Sequence, residues 1–234
     1  MRLDKYLAEA AQCTRSESRE MIRSGRVSVN GAVCKRPEQQ VNEMDSIQLD
    51  GKSRPRQAFV YIMLNKPAGV VSASSDRRDT TVVDLVRSAY PRRELFPAGR
   101  LDKTSTGFVL ITDDGGFAHD ILAPKHHVPK TYRVTLDTPL TREMAEGFAA
   151  GVVLMDQVRL APAEVTPLTP DGRTVRVVLH QGVYHQIKRM FGVYGAGVDA
   201  LHREAIGGVA LDPALAPGQW RELTGAEVAA IAGL

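Results

Sequence analysis

An unbroken apolar run near the middle of the chain constrains the fold most strongly. Residues 108–111 read Phe-Val-Leu-Ile, with Gly107 before them and Asp113-Asp114-Gly115 after them. A short run that is apolar at every position predicts a strand buried on both faces. Asp102 falls on the turn that leads into this strand, where rigid surroundings can hold a reactive group still.

Length and composition set the class of protein. With 234 residues and 43% hydrophobic residues, the chain is long enough for one large domain or two of unequal size. No stretch approaches the roughly 20 apolar residues that cross a bilayer, and the first residues lack the pattern of a signal peptide. Cys13 and Cys34 are the only cysteines, so we expect no disulfide scaffold and a reducing, cytoplasmic compartment.

The first quarter of the chain reads as a small unit of its own. Apolar residues at helical spacing predict a helix over residues 3–11, and Thr14 with Glu17 forms a capping box that starts a second helix, which Gly25 ends. Asn30-Gly31 between alternating valines predicts a β-hairpin. Residues 51–58, GKSRPRQA, have the composition of a linker. We therefore expect domains at 1–58, linker included, and at 59–234.

The rest of the chain mixes strands and helices without a regular βαβ order or a repeat of fixed period. The segments that alternate as strands do, or end at a proline, are FVYIMLNKP, TYRVTL and TVRVVLH. The segments with helical periodicity are REMAEGFAAG, HQIKRMFGVYG and TGAEVAAIAGL. This arrangement predicts an α+β fold with a mixed, mostly antiparallel sheet.

The excess positive charge is confined to residues 1–58, which hold 11 Lys+Arg and 8 Asp+Glu, whereas the remaining residues hold 19 of each. Arg15, Arg19 and Arg23 share one helix face, and like charges at that spacing cost an isolated helix roughly 0.2–0.5 kcal/mol per pair. A merely solvated face is one interpretation of this unrelieved row. Phosphate binding is the other, and it is favoured because more cations surround the same small unit. These cations are Arg2, Lys5, Arg26, Lys35 and Arg36.

The sequence lacks the motifs that several common kinds of active site require. DKTST has no glycine directly before its lysine and precedes a strand, so it is not a nucleotide phosphate loop. The adjacent His126 and His127 are poorly placed to chelate one ion, and no His-Glu-x-x-His or Cys cluster is present. We therefore expect no metal and no nucleotide cofactor. Asp113 and Asp114 are typical of a turn or a helix cap.

An acid flanked by cations remains: Asp102, between Arg100 and Lys103. In HQIKRMFGVYG an apolar stripe leaves His185, Lys188 and Arg189 on the other side, so a helix buried by this stripe can direct Lys188 toward a nearby carboxylate. The stripe consists of Ile187, Met190, Phe191 and Tyr194. From spacing alone, an ordinary turn aspartate remains an open interpretation of Asp102.

Two resemblances extend these predictions. RLDKYLAEA with TRSESREMIRSGRVSVNG resembles the S4-type RNA-binding domain, and GRLDKTSTGFVLITDDG resembles the signature of the pseudouridine synthases that modify ribosomal RNA. The second match continues, in order, through MLNKPAGVVSA, KTYRVTL, GVYHQIKRMF and LHREAIGG, so it covers essentially the whole chain.

The resemblance implies a reaction and its residues. Such enzymes break the glycosidic bond of a uridine, rotate the uracil and rejoin it through carbon 5, with no cofactor. Asp102 corresponds to the essential aspartate, as attacking group or as base, and Lys188 to its basic partner. Tyr132 corresponds to the tyrosine that stacks on the target base, although a plain core tyrosine fits its position equally well. Arg100 and Arg189 are candidate RNA contacts, and Arg100 fits equally well as a residue that holds the turn.

The implied partner is small-subunit (16S) ribosomal RNA or a small-subunit assembly intermediate. We expect the protein to bind it as a monomer and to have no membrane partner. The target base must be flipped out of its RNA, which costs a few kcal/mol. The same reaction on large-subunit (23S) RNA, and a non-catalytic RNA-binding protein of ribosome assembly, remain alternatives.

Overall fold

The computed structural model describes residues 1–11, 13–42, 44–53, 59–123 and 128–233. The chain divides into two compact units, Met1–Phe59 and Val60–Leu234. His126 and His127 lie outside the described residues, as does the part of the predicted linker from 54 to 58. The combination of helices with a mixed sheet confirms the α+β fold class.

The first unit packs two helices with a small antiparallel sheet of order β2-β1-β3-β4. Its elements are α1 (Leu3–Ala10), α2 (Arg15–Arg23), β1 (Val27–Val29), β2 (Ala32–Val33), β3 (Ile47–Leu49) and β4 (Lys52–Ser53). The predicted capping box is confirmed, because the Thr14 side chain accepts from the Glu17 N–H and the Glu17 side chain accepts from the Thr14 N–H. The predicted hairpin turn is confirmed too, with Asn30 at φ 51° and Gly31 at φ 83°.

The linker predicted for residues 51–58 is wrong at its start. Lys52 and Ser53 form β4 and pair with Leu49 and Gln48 of β3. A second tight turn, with Asp50 at φ 52° and Gly51 at φ 74°, reverses the chain between the two strands.

The second unit is built on a nine-stranded sheet whose main order is β13-β5-β7-β11-β8-β10-β9, with β6 beside β7 and β12 beside β11. Its strands are β5 (Tyr61–Lys66), β6 (Phe96–Pro97), β7 (Thr106–Thr112), β8 (Lys130–Leu136), β9 (Glu164–Pro167), β10 (Thr174–Leu179), β11 (Val198–Ile206), β12 (Val209–Ala210) and β13 (Trp220–Glu222). Its helices are α3 (Gly115–Leu122), α4 (Arg142–Ala150), α5 (Gln186–Gly192) and α6 (Gly225–Ala232). Asp114 caps α3 by accepting from the Phe117 N–H, as its position predicted.

The central strand β7 is buried on both faces, as predicted. Val109 and Ile111 belong to one apolar cluster, Phe108 and Leu110 to another, and all four are 0% exposed. The strand therefore forms a rigid base for the turn that precedes it.

Among the described strand pairs of this sheet, β7 and β11 form the one parallel pair, and in it Gly107 lies beside Arg203. Gly107 has φ +102°, and a Cβ atom there would overlap the Arg203 backbone. A glycine is thus required where the two strands approach most closely.

No helix in the described part of the chain is long and apolar enough to cross a membrane. Neither Cys13 nor Cys34 forms a disulfide bond in the part of the chain that the structure describes.

Candidate active site

Asp102 lies on the turn that enters β7, with its side chain 29% exposed. The Ser105 N–H donates to the Asp102 carbonyl oxygen at 3.0 Å and closes the turn. The hydroxyl of Ser72 both accepts from the Leu101 N–H, at 3.0 Å, and donates to the Leu101 carbonyl, at 2.9 Å. The backbone around the carboxylate is therefore tied to a neighbouring segment of the fold.

A buried lysine holds the other side of the same turn. Lys66, at the end of β5, is 0% exposed. Its ammonium group donates to the carbonyl oxygens of Ser105 at 2.6 Å, Pro67 at 3.0 Å and Lys103 at 3.3 Å. Burial lowers the pKa of Lys66 to about 8, against the opposing effect of the Asp102 charge. The lysine thus joins strand β5 to the turn that carries Asp102.

Helix α5 and the residue directly before it supply two groups that contact the carboxylate. Lys188 Nζ lies 3.5 Å from Asp102 Oδ2 and donates to Thr104 Oγ1 at 3.3 Å. His185 Nε2 lies 3.4 Å from Asp102 Oδ1. The helix is oriented by the predicted apolar stripe, of which Ile187, Met190 and Phe191 are at most 4% exposed. The structure therefore brings Lys188 to Asp102.

The two basic residues beside Asp102 in sequence form no ion pair with it among the described residues. Lys103 forms an ion pair with Asp79 at 2.7 Å. Arg100 is exposed, and no described residue forms an ion pair with it. The positive charge near the carboxylate thus comes from residues distant in sequence, Lys188 of α5 and Lys66 of β5.

Tyr132 is a buried residue of β8, 8% exposed, on the same face as Val134 and Leu136. It belongs to the apolar cluster that also contains Leu101 and Ile187, the sequence neighbours of Asp102 and Lys188. Among the described residues, no hydrogen bond joins Tyr132 to Asp102.

The arginine row predicted to be unrelieved is in fact neutralised in part. The carboxylate of Asp4, 0% exposed, forms ion pairs with Arg19 at 2.9 Å, Arg2 at 3.0 Å and Arg15 at 3.5 Å. Burial acts to raise the pKa of Asp4, but the hydrogen bonds of Arg2 and Arg19, with the charges of Arg2 and Arg15, lower it to about 2. The prediction missed Asp4 because it lies on the preceding helix, α1.

The other candidate RNA contacts divide into paired and exposed side chains. Arg26 pairs with Asp50 at 2.6 Å, and in the second unit Arg189 pairs with Asp156 at 2.5 Å. Arg19 and Arg23 line a shallow groove together with Ser16 and Glu20 of α2 and with Ser24, which follows the helix. The candidates that lie exposed in the first unit, without an ion pair to a described residue, are Lys5, Arg23, Lys35 and Arg36.

Two residues at the site were missed as functional candidates. His185 was assigned only to the polar side of its helix, and the sequence signal for it is its position directly before Gln-Ile-Lys. Lys66 was treated as the end of a strand, and its signal is a lysine placed between a buried strand and a proline. Within the described residues, no group of three or more His, Cys, Asp or Glu side chains is arranged to hold a metal ion.

A model of the RNA pseudouridylate synthase family matches residues 60–192, which contain Asp102, Lys66 and α5, and a model of the S4 domain matches residues 1–47. The chain belongs to the RNA pseudouridylate synthase family and carries an S4 domain in front of the enzyme unit. It is therefore an isomerase.

Full-length relatives agree with this assignment. The chain is 43% identical to ribosomal small subunit pseudouridine synthase A of Vibrio vulnificus, over 97% of this chain and 98% of that protein. It is 41% identical to the protein of the same name from Escherichia coli K12, over 99% of this chain and all of that protein. A crystal structure of a pseudouridylate synthase superposes with a TM-score of 0.70, at 37% identity and 99% coverage of both chains.

Proposed function

We propose that this protein converts a specific uridine of small-subunit ribosomal RNA to pseudouridine, with Asp102 as its catalytic residue. The observation that carries the proposal is the Asp102 carboxylate, held between His185 at 3.4 Å and Lys188 at 3.5 Å, on a turn fixed by Lys66 and Ser72. The similarity to ribosomal small subunit pseudouridine synthase A supports the choice of RNA.

The reaction is an isomerisation, so its atoms balance within the substrate. The bond from the ribose to N1 of uracil breaks, a bond from the ribose to C5 forms, and the proton on C5 is lost while N1 gains one. An ionised Asp102 serves either as the attacking group or as a base. Lys188 stabilises the ionised carboxylate that both routes need at the start, and the carboxylate regains its negative charge when the reaction is complete.

In this proposal residues 1–58 bind the RNA and residues 59–234 carry the reaction. Among the described residues of the first unit, Asp4 offsets one of the three guanidinium charges around it, so a positive face remains for phosphates. Tyr132 is the proposed contact for the target base. We further propose that the protein acts as a monomer in the cytoplasm, during ribosome biogenesis.

The test of the proposed function uses unmodified transcripts of both ribosomal RNAs, each naked and in partly assembled subunits. We expect the purified protein to form pseudouridine in small-subunit RNA, and Asp102→Asn to form none while it binds RNA as the wild type does. The product is mapped by primer extension after carbodiimide treatment. Asp120→Asn, an exposed acid of α3, is the matched control and should keep full activity.

Each alternative has its own outcome. Product confined to large-subunit RNA would overturn the assigned target. Full activity in Asp102→Asn would overturn the catalytic residue. RNA binding without product in any of these substrates would favour the non-catalytic assembly protein.

A further inference from the structure

An exposed aromatic ring lies beside the candidate catalytic carboxylate. Tyr184 is 68% exposed, and its ring stacks on the imidazole of His185, with the ring centroids 3.8 Å apart and the ring planes 18° apart. His185 Nε2 is in turn 3.4 Å from Asp102 Oδ1. The two rings therefore form a short aromatic stack that begins at the carboxylate and ends in solvent.

The backbone fixes the direction of this stack. His185 has φ 51° and ψ 33°, a left-handed conformation that is costly for a residue other than glycine, and it stands directly before the first residue of α5. The side chain of Gln186, 5% exposed, accepts from the Val183 N–H at 3.0 Å and so closes the turn that presents Tyr184. Strain of this kind persists where the surrounding structure holds it, and here it directs the imidazole toward Asp102.

One face of the Tyr184 ring is covered and the other is open. The imidazole covers the inner face, and an exposure of 68% leaves the outer face to solvent. The outer face of this large ring stays in water, although its apolar body would gain free energy if that face were covered. Nucleic-acid bases are natural partners for such a face, since every base stacks on an aromatic side chain.

The spacing selects which base would stack there. A base on the outer face of Tyr184 would lie about twice the ring separation of 3.8 Å from the imidazole of His185. This is too far from Asp102 for the reacting uracil, but it suits the next nucleotide of the same strand. Lys188, on the adjoining turn of α5, contacts Asp102 and keeps its side chain 34% exposed, so a cation is present beside the path of the strand between the two nucleotides.

We propose that the outer face of Tyr184 is a stacking site for the base of the nucleotide next to the target uridine, and that it holds the strand in place while the uridine is flipped. This inference rests on the proposed function, because it takes Asp102 as the position of the reacting nucleotide. His185 is then a positioning residue that supports Tyr184 from beneath.

The test is a double-mutant cycle between the protein and the RNA. The substrate is the RNA or assembly intermediate in which the wild type makes product, rebuilt by splinted ligation with an abasic residue 5′ or 3′ of the target. We expect the abasic residue on one side to lower kcat/KM of the wild type roughly 10-fold. Tyr184→Leu should lower kcat/KM equally on intact RNA and should lose nothing more on the abasic RNA.

Two further variants separate stacking from folding. Tyr184→Phe keeps the ring and should keep the wild-type values on both RNAs. Leu168→Ala removes an exposed apolar side chain just after β9 and should also behave as the wild type. If the fold losses in kcat/KM from Tyr184→Leu and from each abasic residue multiply when the two changes are combined, Tyr184 does not stack on that base. This result would overturn the stacking site even though product forms. If the wild type makes no product in any ribosomal RNA substrate, the proposed function itself fails.

Discussion

Lys66 has two effects on the turn that carries Asp102. Its ammonium group donates to three carbonyl oxygens, those of Pro67, Lys103 and Ser105, and so ties β5 to the turn. Its buried charge also destabilises the fold, because burial lowers the pKa of the ammonium group from 10.5 to about 8. The same residue therefore fixes the site and costs the fold free energy at neutral pH.

We predict that Lys66→Met lowers kcat by roughly 10- to 100-fold, because the turn relaxes and small displacements of a catalytic group are costly. Single-turnover rates on the RNA substrate would measure this loss. Lys52→Met, an exposed lysine on β4, is the control and should change kcat little. A wild-type rate in Lys66→Met would show that the turn holds its shape without the lysine.

The pH dependence of stability gives an independent prediction for Lys66. Between pH 8 and 10.5 the unfolded chain keeps the lysine proton that the folded chain has lost, so the free-energy cost of burying this group falls as pH rises. The free energy of unfolding of the wild type, relative to Lys66→Met, should therefore rise by about 2 kcal/mol between pH 7.5 and 9.5. Urea titrations of both proteins at the two pH values would measure it, and an unchanged difference would contradict the lowered pKa.

Only the part of the candidate site that follows from helical periodicity could be predicted from the sequence. Helical spacing around Lys188 placed it opposite the apolar stripe, and the structure brings it to Asp102. The contact made by His185 depends on its left-handed backbone, which lies outside the helix and outside any helical pattern. The burial of Lys66 depends on carbonyl groups up to 39 residues away in sequence. Neither could be inferred from local residue types.

At the scale of elements, the sequence predicted the caps, turns and strands that depend on residues close together in the chain. The capping box of Thr14, the Asn30-Gly31 turn and the continuous apolar run of β7 all formed where they were expected. The turn at Asp50-Gly51 carried the same kind of hairpin signal but was taken as the start of a linker because basic residues and Pro55 follow it. The parallel pairing of β7 with β11 joins strands separated by six other elements, and no local pattern encodes it.

That parallel pairing makes Gly107 the most sensitive position of the central strand. In Gly107→Ala the methyl group would meet the backbone of Arg203, and the residue would keep a φ of +102°. We predict destabilisation of at least about 3 kcal/mol, from strain plus overlap with backbone that cannot move aside. Urea unfolding of the purified variant measures this change. Gly225→Ala, at an open position at the start of α6, should differ from wild type by less than about 1 kcal/mol.

At the scale of the whole molecule, charge and chemistry occupy different parts of the chain. Residues 1–58 hold the entire net charge of +3, whereas residues 59–234 are balanced. Asp4 gives this division a structural basis, since one buried carboxylate holds the guanidinium groups of Arg2, Arg15 and Arg19 together. An electrostatic surface of this kind contributes affinity for phosphate without reading sequence, so in the proposed function other contacts must select the uridine.

The salt dependence of RNA binding tests whether these arginines meet phosphates. Each phosphate contact contributes roughly 0.7–0.9 to the slope of log Kd against log salt concentration. Arg15→Ala combined with Arg19→Ala should therefore reduce the slope by about 1.4 to 1.8, with both side chains lost as phosphate ligands. Arg142→Ala, which removes an exposed arginine of α4 paired with Glu146, should leave the slope unchanged.

The double variant leaves Asp4 with Arg2 as its remaining ion-pair partner among the described residues, so the free energy of unfolding of the variant is measured alongside. A wild-type slope in a folded double variant would mean that Asp4 binds these arginines for stability alone, and that the exposed Lys5, Arg23, Lys35 and Arg36 make the phosphate contacts.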